Sequence, residues 1–414
     1  MSKEITKIYV CGPTVYNYVH IGNLRPILTY DFILKGYRAN NKPFQFIHNI
    51  TDIDDKIINK AAELNKSEKE ISEFYTSYYL DLLKNLNVDT ITHIEKVTDN
   101  LDVIDSYINK IIKNKSAYKD ENGNVWFSIK NNEKYYGEVS NQNLDKMEFE
   151  ENSDGKQFIG DFALWKNTTH GIKFNSSFGF GRPGWHTECC ALIDKHFGKD
   201  GVDLHGGGMD LTFPHHENEN IQQRAIYNEP LAKEWLRTGQ INLNGDKMSK
   251  SLGNIILADD FINKYGKDIL KLIILSAKIT APINITEELI QNMQNIKNKL
   301  VKFIFKFFTL KDWKESNKEL LSESKEIMNA LAEKDFAKYN LLLNEALKTF
   351  NKTPTFENGK IVFDVLKIIH PELTDKNQYL EELDIFNQWS LLIAKKDYQA
   401  ADILRDKLIK KGVY

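Results

Sequence analysis

IYVCGPTVYNYVHIGN, residues 8–23, is the stretch on which the rest of the chain turns. Ile8 to Val10 form an apolar run, Gly12 and Pro13 break it, and Ile27 to Tyr37 carries helical spacing. Downstream, PFQFIHNI alternates Phe44, Phe46 and His48 as an extended segment does. Strand, glycine turn, helix and strand in that order predict a βαβ opening and an α/β domain with a parallel sheet. Pro26 is expected in the first turn of the helix, where a missing N–H costs least.

Residues 115–180 change character. ENGNVWFSI, EKYYGEVS and SSFGFGRPGW are rich in aromatic and turn residues and predict a small β-rich insertion. The α/β pattern then resumes. WHTECCALIDKHFG is predicted helical, GVDLHGGG a strand entering a glycine loop, and FPHHENENIQQRAIY a helix with Pro214 in its first turn. From about residue 283 only helical periodicity remains, in segments such as Ile327–Phe350 and Leu380–Ile409, as in an antiparallel bundle.

With 414 residues and 41% hydrophobic content, the chain suits several domains with a sizeable buried interior. Its net charge of −3 excludes a protein that coats nucleic acid nonspecifically, so RNA contact must use local basic patches. MSKEITKIYV has no apolar signal core and no run approaches the roughly 18 apolar residues that cross a bilayer, so a cytoplasmic protein without a membrane partner is expected. Cys11, Cys189 and Cys190 are too few for a disulfide framework, which leaves metal binding or plain burial.

Four places carry chemistry. His20-Ile21-Gly22-Asn23 sits where unpaired N–H groups at a helix start favour phosphate, with Gly22 allowing close approach; a lone turn histidine is more often simply solvated or packed. Lys247-Met248-Ser249-Lys250-Ser251 places two cations and two hydroxyls where a polyphosphate could be surrounded, against the plainer reading of a solvated basic loop. His205-Gly206-Gly207-Gly208-Met209-Asp210 follows a strand; its glycines can admit a ligand and Asp210 can bond ribose hydroxyls, although a tight turn would look the same. His215 and Glu219, four apart, share a helix face and can point at one ion; with thiolates from Cys11 and Cys189 they make a set that favours zinc over magnesium. A buried small hydrophobe remains the alternative for each cysteine, and a surface pair for His215 and Glu219.

CGPTVYNYVHIGN, NITDIDDK, PGWHTECC, LHGGGMDLTFPHHENE and KMSKSLGN occur in the order found in cysteinyl-tRNA synthetases, and the chain resembles that family over nearly its whole length. The resemblance implies a Rossmann-type class I synthetase core with a small inserted domain and a C-terminal helical bundle. It divides the chain as 1–114 core, 115–180 connective insertion, 181–230 second half of the core with the metal site, 231–282 KMSKS loop and stem-contact region, 283–379 tRNA-binding bundle, and 380–414 small tRNA-reading segment. It implies one Zn2+ per chain on Cys11, Cys189, His215 and Glu219, and Mg2+ with ATP. Cys11, Gly12, Thr51, Trp185 and His215 are then expected around L-cysteine. His20, Gly22, Asn23, His205, Gly206, Gly207, Asp210 and Lys250 are expected around ATP, with Lys250, Lys247 and His20 catalytic.

The implied partners are tRNA(Cys), ATP and L-cysteine, and the implied state a monomer. Four protein ligands ordinarily close a zinc site, so thiol binding needs a fifth position or a yielding ligand, and Glu219 is the weak candidate. Asn23 replaces the second histidine of the family's HIGH string, Met209 stands where a small polar residue is expected, and the chain ends at Tyr414, ahead of the tail of bacterial members. A ligase passing cysteine to an aminosugar amine, or a noncatalytic RNA-binding relative, would carry similar text.

Overall fold

The computed structural model describes residues 4–147, 149, 155–248, 253–314 and 319–414. The chain forms two compact units, one of Met1–Ile27, Pro43–Gln240 and Ile256–Ala258, the other of Leu28–Lys42, Ile241–Ile255 and Asp259–Tyr414.

In the first unit β1 (Thr6–Val10) leads to α1 (Ile21–Ala39), which continues into the second unit, and then to β2 (Phe44–Ile50). α2 (Asp55–Leu64), α3 (Glu68–Asn85), β3 (His93–Lys96) and α4 (Leu101–Lys113) follow. β4 (Ala117–Lys119), β5 (Val125–Phe127), β6 (Phe162–Asn167) and β7 (Gly181–Pro183) form an antiparallel four-stranded sheet, as the aromatic, turn-rich text predicts. α5 (Trp185–Phe197), β8 (Val202–Gly208), α6 (Glu217–Tyr227) and β9 (Ala232–Thr238) complete the unit. The main sheet runs β3-β2-β1-β8-β9, every pairing parallel. Its order reverses between β1 and β8. In open α/β sheets that reversal opens a crevice at the carboxyl ends of the strands, here Val10-Cys11 and Gly206-Gly208.

Both sheets share one apolar core, in which Tyr9 and Ile47 of the parallel sheet meet Phe127, Phe162 and Leu164 of the antiparallel one. Glu217, fully buried at the start of α6, ties the insertion down by accepting from the N–H groups of Gly137, Val139 and Ser140 at 2.8, 3.1 and 2.7 Å.

Two helix starts differ from expectation. α1 begins at Ile21, and Pro26 lies inside it. His20 and Asn23 cap this early start reciprocally: His20 Nδ1 accepts from the Gly22 N–H and Asn23 Oδ1 from the His20 N–H, each at 3.1 Å. Pro26 then forfeits only the bond to the Gly22 carbonyl. Pro214 is not in the first turn of α6 but in a π-type turn, Thr212–His216, ahead of it, because Phe213 is extended (φ −140°, ψ 135°).

The second unit holds β10 (Ile241–Leu243), β11 (Asp246–Lys247), most of α7 (Ala258–Tyr265), α8 (Lys267–Leu275) and β12 (Ile283–Ile285), followed by six helices. These are α9 (Glu287–Phe308), α10 (Ser322–Ala332), α11 (Phe336–Lys352), α12 (Phe356–Ile369), α13 (Leu380–Ala394) and α14 (Tyr398–Lys410). The expectation of helix alone from 283 needs correction, since β12 pairs in parallel with β10. Ile283 and Ile285 point inward and Asn284 outward, too short an alternation to register as periodicity.

Candidate active site

The crevice between β1 and β8 gathers side chains from widely separated segments. Cys11 extends β1 by one residue, its N–H held by the Gly206 carbonyl at 3.0 Å. Its sulfur lies 3.8 Å from Cys189 Sγ on α5, 3.6 Å from His215 Nε2 in the π-type turn and 3.6 Å from Glu219 Oε1 on α6. Cys189 Sγ is 3.9 Å from His215 Nε2, which is 3.1 Å from Glu219 Oε1. The turn thus delivers His215 to the face of α6 that carries Glu219, as the four-residue spacing predicts.

A second set overlaps the first. Cys11, His205, His216 and Glu219 also bring their donor atoms within 4.8 Å of one another. His205 Nε2 stands 3.1 Å from Glu219 Oε2 but out of hydrogen-bond alignment, so both ring nitrogens of His205 and this carboxylate oxygen are buried without a hydrogen-bond partner. Unsatisfied buried polar atoms are rare, and their concentration beside two thiols suits a metal ion.

The rings around the cluster hold it in place. Trp185 stacks on His215 with centroids 4.2 Å apart, and His205 stacks on Trp235 at 4.5 Å. His186 Nδ1 meets His215 Nδ1 at 3.0 Å, and Arg237 Nε lies 3.2 Å from His216 Nδ1. Burial pulls the His215 imidazole down, but Glu219 and Cys189 outweigh it and hold the pKa at about 10. Burial pushes Glu219 up, while His215 and His205 pull it well below the ordinary carboxylate value. Burial raises the Cys11 thiol, and the hydrogen bond from Cys11 lowers that of Cys189.

Gly12 is fixed by close approach: a Cβ there would lie 1.6 Å from the Asn49 carbonyl oxygen. Thr51, just past β2, is buried and tied through its backbone to Pro13 and Val15 at 3.1 Å each.

Residues 1–295 match the family described as tRNA synthetases class I (C) catalytic domain. Cysteine–tRNA ligase of Mesomycoplasma hyopneumoniae (strain 232) is 41% identical over 413 residues, covering 99% of this chain and 98% of that protein. That of Malacoplasma penetrans is 40% identical, covering 99% and 96%. The chain belongs to the cysteine–tRNA ligase family. It is therefore a class I aminoacyl-tRNA synthetase. Among solved structures, methionyl-tRNA synthetase of Mycobacterium tuberculosis bound by methionyl-adenylate matches with TM-score 0.62 at 12% identity, covering 89% of this chain and 92% of that one. LeuRS of Agrobacterium radiobacter, in a ternary complex with tRNA and LeuAMS, matches with TM-score 0.65 at 8% identity, covering 91% and 85%. At such identities these two share the fold alone.

In this family member the cluster unites Cys11, Cys189, His215 and Glu219, with Gly12, Thr51 and Trp185 beside them. His205 stands inside the metal-type cluster, fully buried against Glu219, Trp235 and His216. Gly206 and Gly207 lie near the end of β8, ahead of Gly208, and Asp210 is exposed in the turn Met209–Leu211. Asn23, in place of histidine, serves the cap of α1 together with His20. Lys247 lies in β11, exposed, its carbonyl accepting from Asn254 at 3.2 Å. Lys250 falls outside the described residues. Asn49, His186, Glu188, His216 and Arg237 were not singled out from the sequence; the HHENE and WHTEC runs contain His216, His186 and Glu188, but which of their neighbouring side chains faces the crevice is set by the turn and by α5.

Proposed function

We propose that the chain activates L-cysteine with ATP to cysteinyl-adenylate and transfers it to the 3′ end of tRNA(Cys). The observation that carries this reading is the convergence of two thiols, an imidazole and a carboxylate from three segments at the carboxyl ends of β1 and β8, in a member of the cysteine–tRNA ligase family. One Zn2+ suits this set. Ligand bonds of about 2.3 Å to sulfur in a tetrahedron put two sulfurs about 3.8 Å apart, and Cys11 and Cys189 stand at 3.8 Å. When bound, zinc supplies a soft Lewis acid that takes a substrate thiol as thiolate and leaves a serine hydroxyl behind, a discrimination that pocket shape alone gives only weakly.

The chain's own residues do the rest by positioning and charge. Trp185, Gly12 and Thr51 wall the cysteine pocket. Gly22, with no side chain, lets a phosphate approach the start of α1, and because the Gly22 N–H donates to His20 Nδ1, neutral His20 carries its proton on Nε2 as a donor for a phosphate oxygen. Asn23, whose amide oxygen is committed to the cap, retains N–H donors for a phosphate oxygen. Gly206, Gly207 and Asp210 border the nucleoside, while His205, expected there from the sequence, is buried in the cluster behind them. The cysteine carboxylate attacks the α-phosphate and expels pyrophosphate, whose charge Lys247 and Lys250 would offset together with the Mg2+ that would accompany ATP, and a terminal ribose hydroxyl of tRNA then displaces AMP. The helices beyond residue 283 serve tRNA, and the enzyme works as a cytoplasmic monomer.

Pyrophosphate exchange tests this reading. It should require cysteine, ignore serine and accompany about one zinc per chain; purified tRNA(Cys), and not an aminosugar, should then accept the cysteine. Relatives matched from end to end favour the tRNA acceptor. Lys250→Ala should slow adenylate formation by about a hundredfold with little change in the KM for cysteine. Exchange without cysteine dependence, or purified protein without zinc, would refute the assignment.

A further inference from the structure

Beside the β1–α1 loop the first unit exposes a patch of aromatic rings that the proposed chemistry leaves unused. Tyr18, two residues before His20, is 42% exposed, and Phe74 on α3 is 54% exposed. Tyr18 meets Phe74, Tyr75 and Tyr78 nearly at right angles, with ring centroids 6.3, 5.3 and 4.9 Å apart, and Phe74 meets Tyr75 in the same way at 5.0 Å. Tyr75 is buried, and the Tyr18 N–H donates to Asn17 Oδ1 at 2.9 Å. The two outer rings are thus held in place before anything binds.

Single exposed aromatics are ordinary; two in contact, on a loop that belongs to the site, form a patch that suits a partner. Cys11 begins that loop and His20 ends it. Midway, the Val15 N–H donates to the Thr51 carbonyl at 3.1 Å, and the exposed Lys56 ammonium stands 5.7 Å from the centre of the Tyr16 ring. Two residues of chain reach at most about 7 Å, close to the length of two stacked nucleotides at about 3.4 Å each. The partner that must come this near to His20 with unpaired bases is the acceptor end of tRNA, whose terminal ribose has to reach the adenylate. Glu73, next to Phe74, pairs with Lys69 at 3.8 Å. The charges flanking the patch therefore cancel, which suits base faces and not phosphates.

We propose that Tyr18 and Phe74 form a stacking platform for the unpaired nucleotides preceding the terminal adenosine of tRNA, and so guide its ribose to the adenylate. This deepens the cysteine-charging reading above and rests on it.

Leucine keeps the apolar bulk and removes the ring. In Phe74→Leu and in Tyr18→Leu the KM for tRNA(Cys) in charging should rise by about tenfold, while Phe74→Tyr stays near wild type. Cysteine-dependent pyrophosphate exchange, its KM for ATP and for cysteine, the zinc content and the melting temperature should not move. With 2-aminopurine as the penultimate nucleotide of tRNA(Cys), saturating wild-type protein should quench the fluorescence and saturating Phe74→Leu should not. Phe74 is more than half exposed, so its variants carry the test alone if Tyr18→Leu fails to fold. An unchanged KM for tRNA or unchanged quenching in Phe74→Leu overturns the platform, and so does an equal loss in exchange, which would place the rings against ATP. Wild-type protein that exchanges pyrophosphate without cysteine, or charges no tRNA(Cys), would instead overturn the reading beneath it.

Discussion

Each unit buries a polar cluster, and the two are finished differently. In the second unit Asp31 and Lys35 pair at 2.6 Å, one turn apart on α1 and nearly inaccessible. His370 Nδ1 meets Asp268 Oδ1 at 2.8 Å, and the Lys271 ammonium, pushed down to about 8 mainly by burial, donates to the Ile369 carbonyl at 2.9 Å. Each of these groups ends on a partner within the unit. In the first unit Cys189, His205, His215, His216 and Glu219 are just as deeply buried and Cys11 partly so. Yet among the described residues both ring nitrogens of His205 and one oxygen of Glu219 lack an aligned hydrogen bond, although His205 Nε2 and that oxygen lie 3.1 Å apart. Burial alone does not mark a site; burial left incomplete by the chain's own atoms does.

The sharpest way to break this contrast is to remove one donor from each cluster. Cys189→Ser should strip the proposed zinc from about one per chain to a small fraction and cut cysteine-dependent exchange by at least about a hundredfold. Metal analysis after dialysis against a chelator reads the first effect and steady-state exchange the second. Unchanged zinc and unchanged cysteine affinity would mean the thiol is structural.

Asp268→Asn should do the opposite. It leaves His370 facing a neutral amide inside the second unit, so stability to urea should fall by about 2–3 kcal/mol. Zinc content and the KM for cysteine should hold. Loss of the metal from this variant would show that the two clusters are not separable.

The contrast also governs what could be read in advance. Cys11, Cys189, His215 and Glu219 were legible because two thiols and a His/Glu pair one turn apart are chemically unusual, and because strand, glycine and helix follow one another around them. The parallel sheet and the small antiparallel sheet were legible for the same reason of local pattern. His205 beside Glu219, and Asn49 and Glu188 around Thr51, were not: their meaning comes from contacts across 14, 2 and 137 residues, which no spacing rule encodes. Pro26 misled because an unexpected His20–Asn23 cap moved the helix start six residues upstream. β12 was missed because three residues are too few to show a period.

Acid should sharpen the comparison in the second unit. Burial holds the His370 imidazole below its ordinary 6.5. Burial pushes the Asp268 carboxyl up, but the His370 hydrogen bond and charge outweigh it and leave it below 3.8. Both folded groups take up protons less readily than the unfolded chain, so their stabilisation is present at neutral pH and lost as pH falls, first below 6.5 and again below 3.8. His370→Gln removes the upper step. The stability gap between wild type and this variant should therefore narrow from pH 8 to pH 5, with other histidines such as His48 cancelling in the difference. A gap that widens on acidification would show that His370 is charged in the fold.

Cys190→Ser should have the smallest effect, although it changes the residue next to a proposed ligand. Neighbours on a helix point about 100° apart. Cys189 Sγ faces Cys11 at 3.8 Å, while Cys190 Sγ turns to the carbonyls of His186 and Glu219, each at 3.4 Å. Burial raises its thiol well above the ordinary value, so it sits in the fold as a neutral donor. A serine hydroxyl can make the same kind of bond from the same rotamer. What it loses is the packing of sulfur in the apolar core shared with Leu192 and Ile108, worth about 1 kcal/mol or less. Zinc content and exchange should stay within about twofold of wild type, read by the same assays as Cys189→Ser. A Cys190→Ser protein that loses zinc as fully as Cys189→Ser would mean that the Glu219 backbone, which Cys190 touches, is as necessary to the cluster as a donor atom.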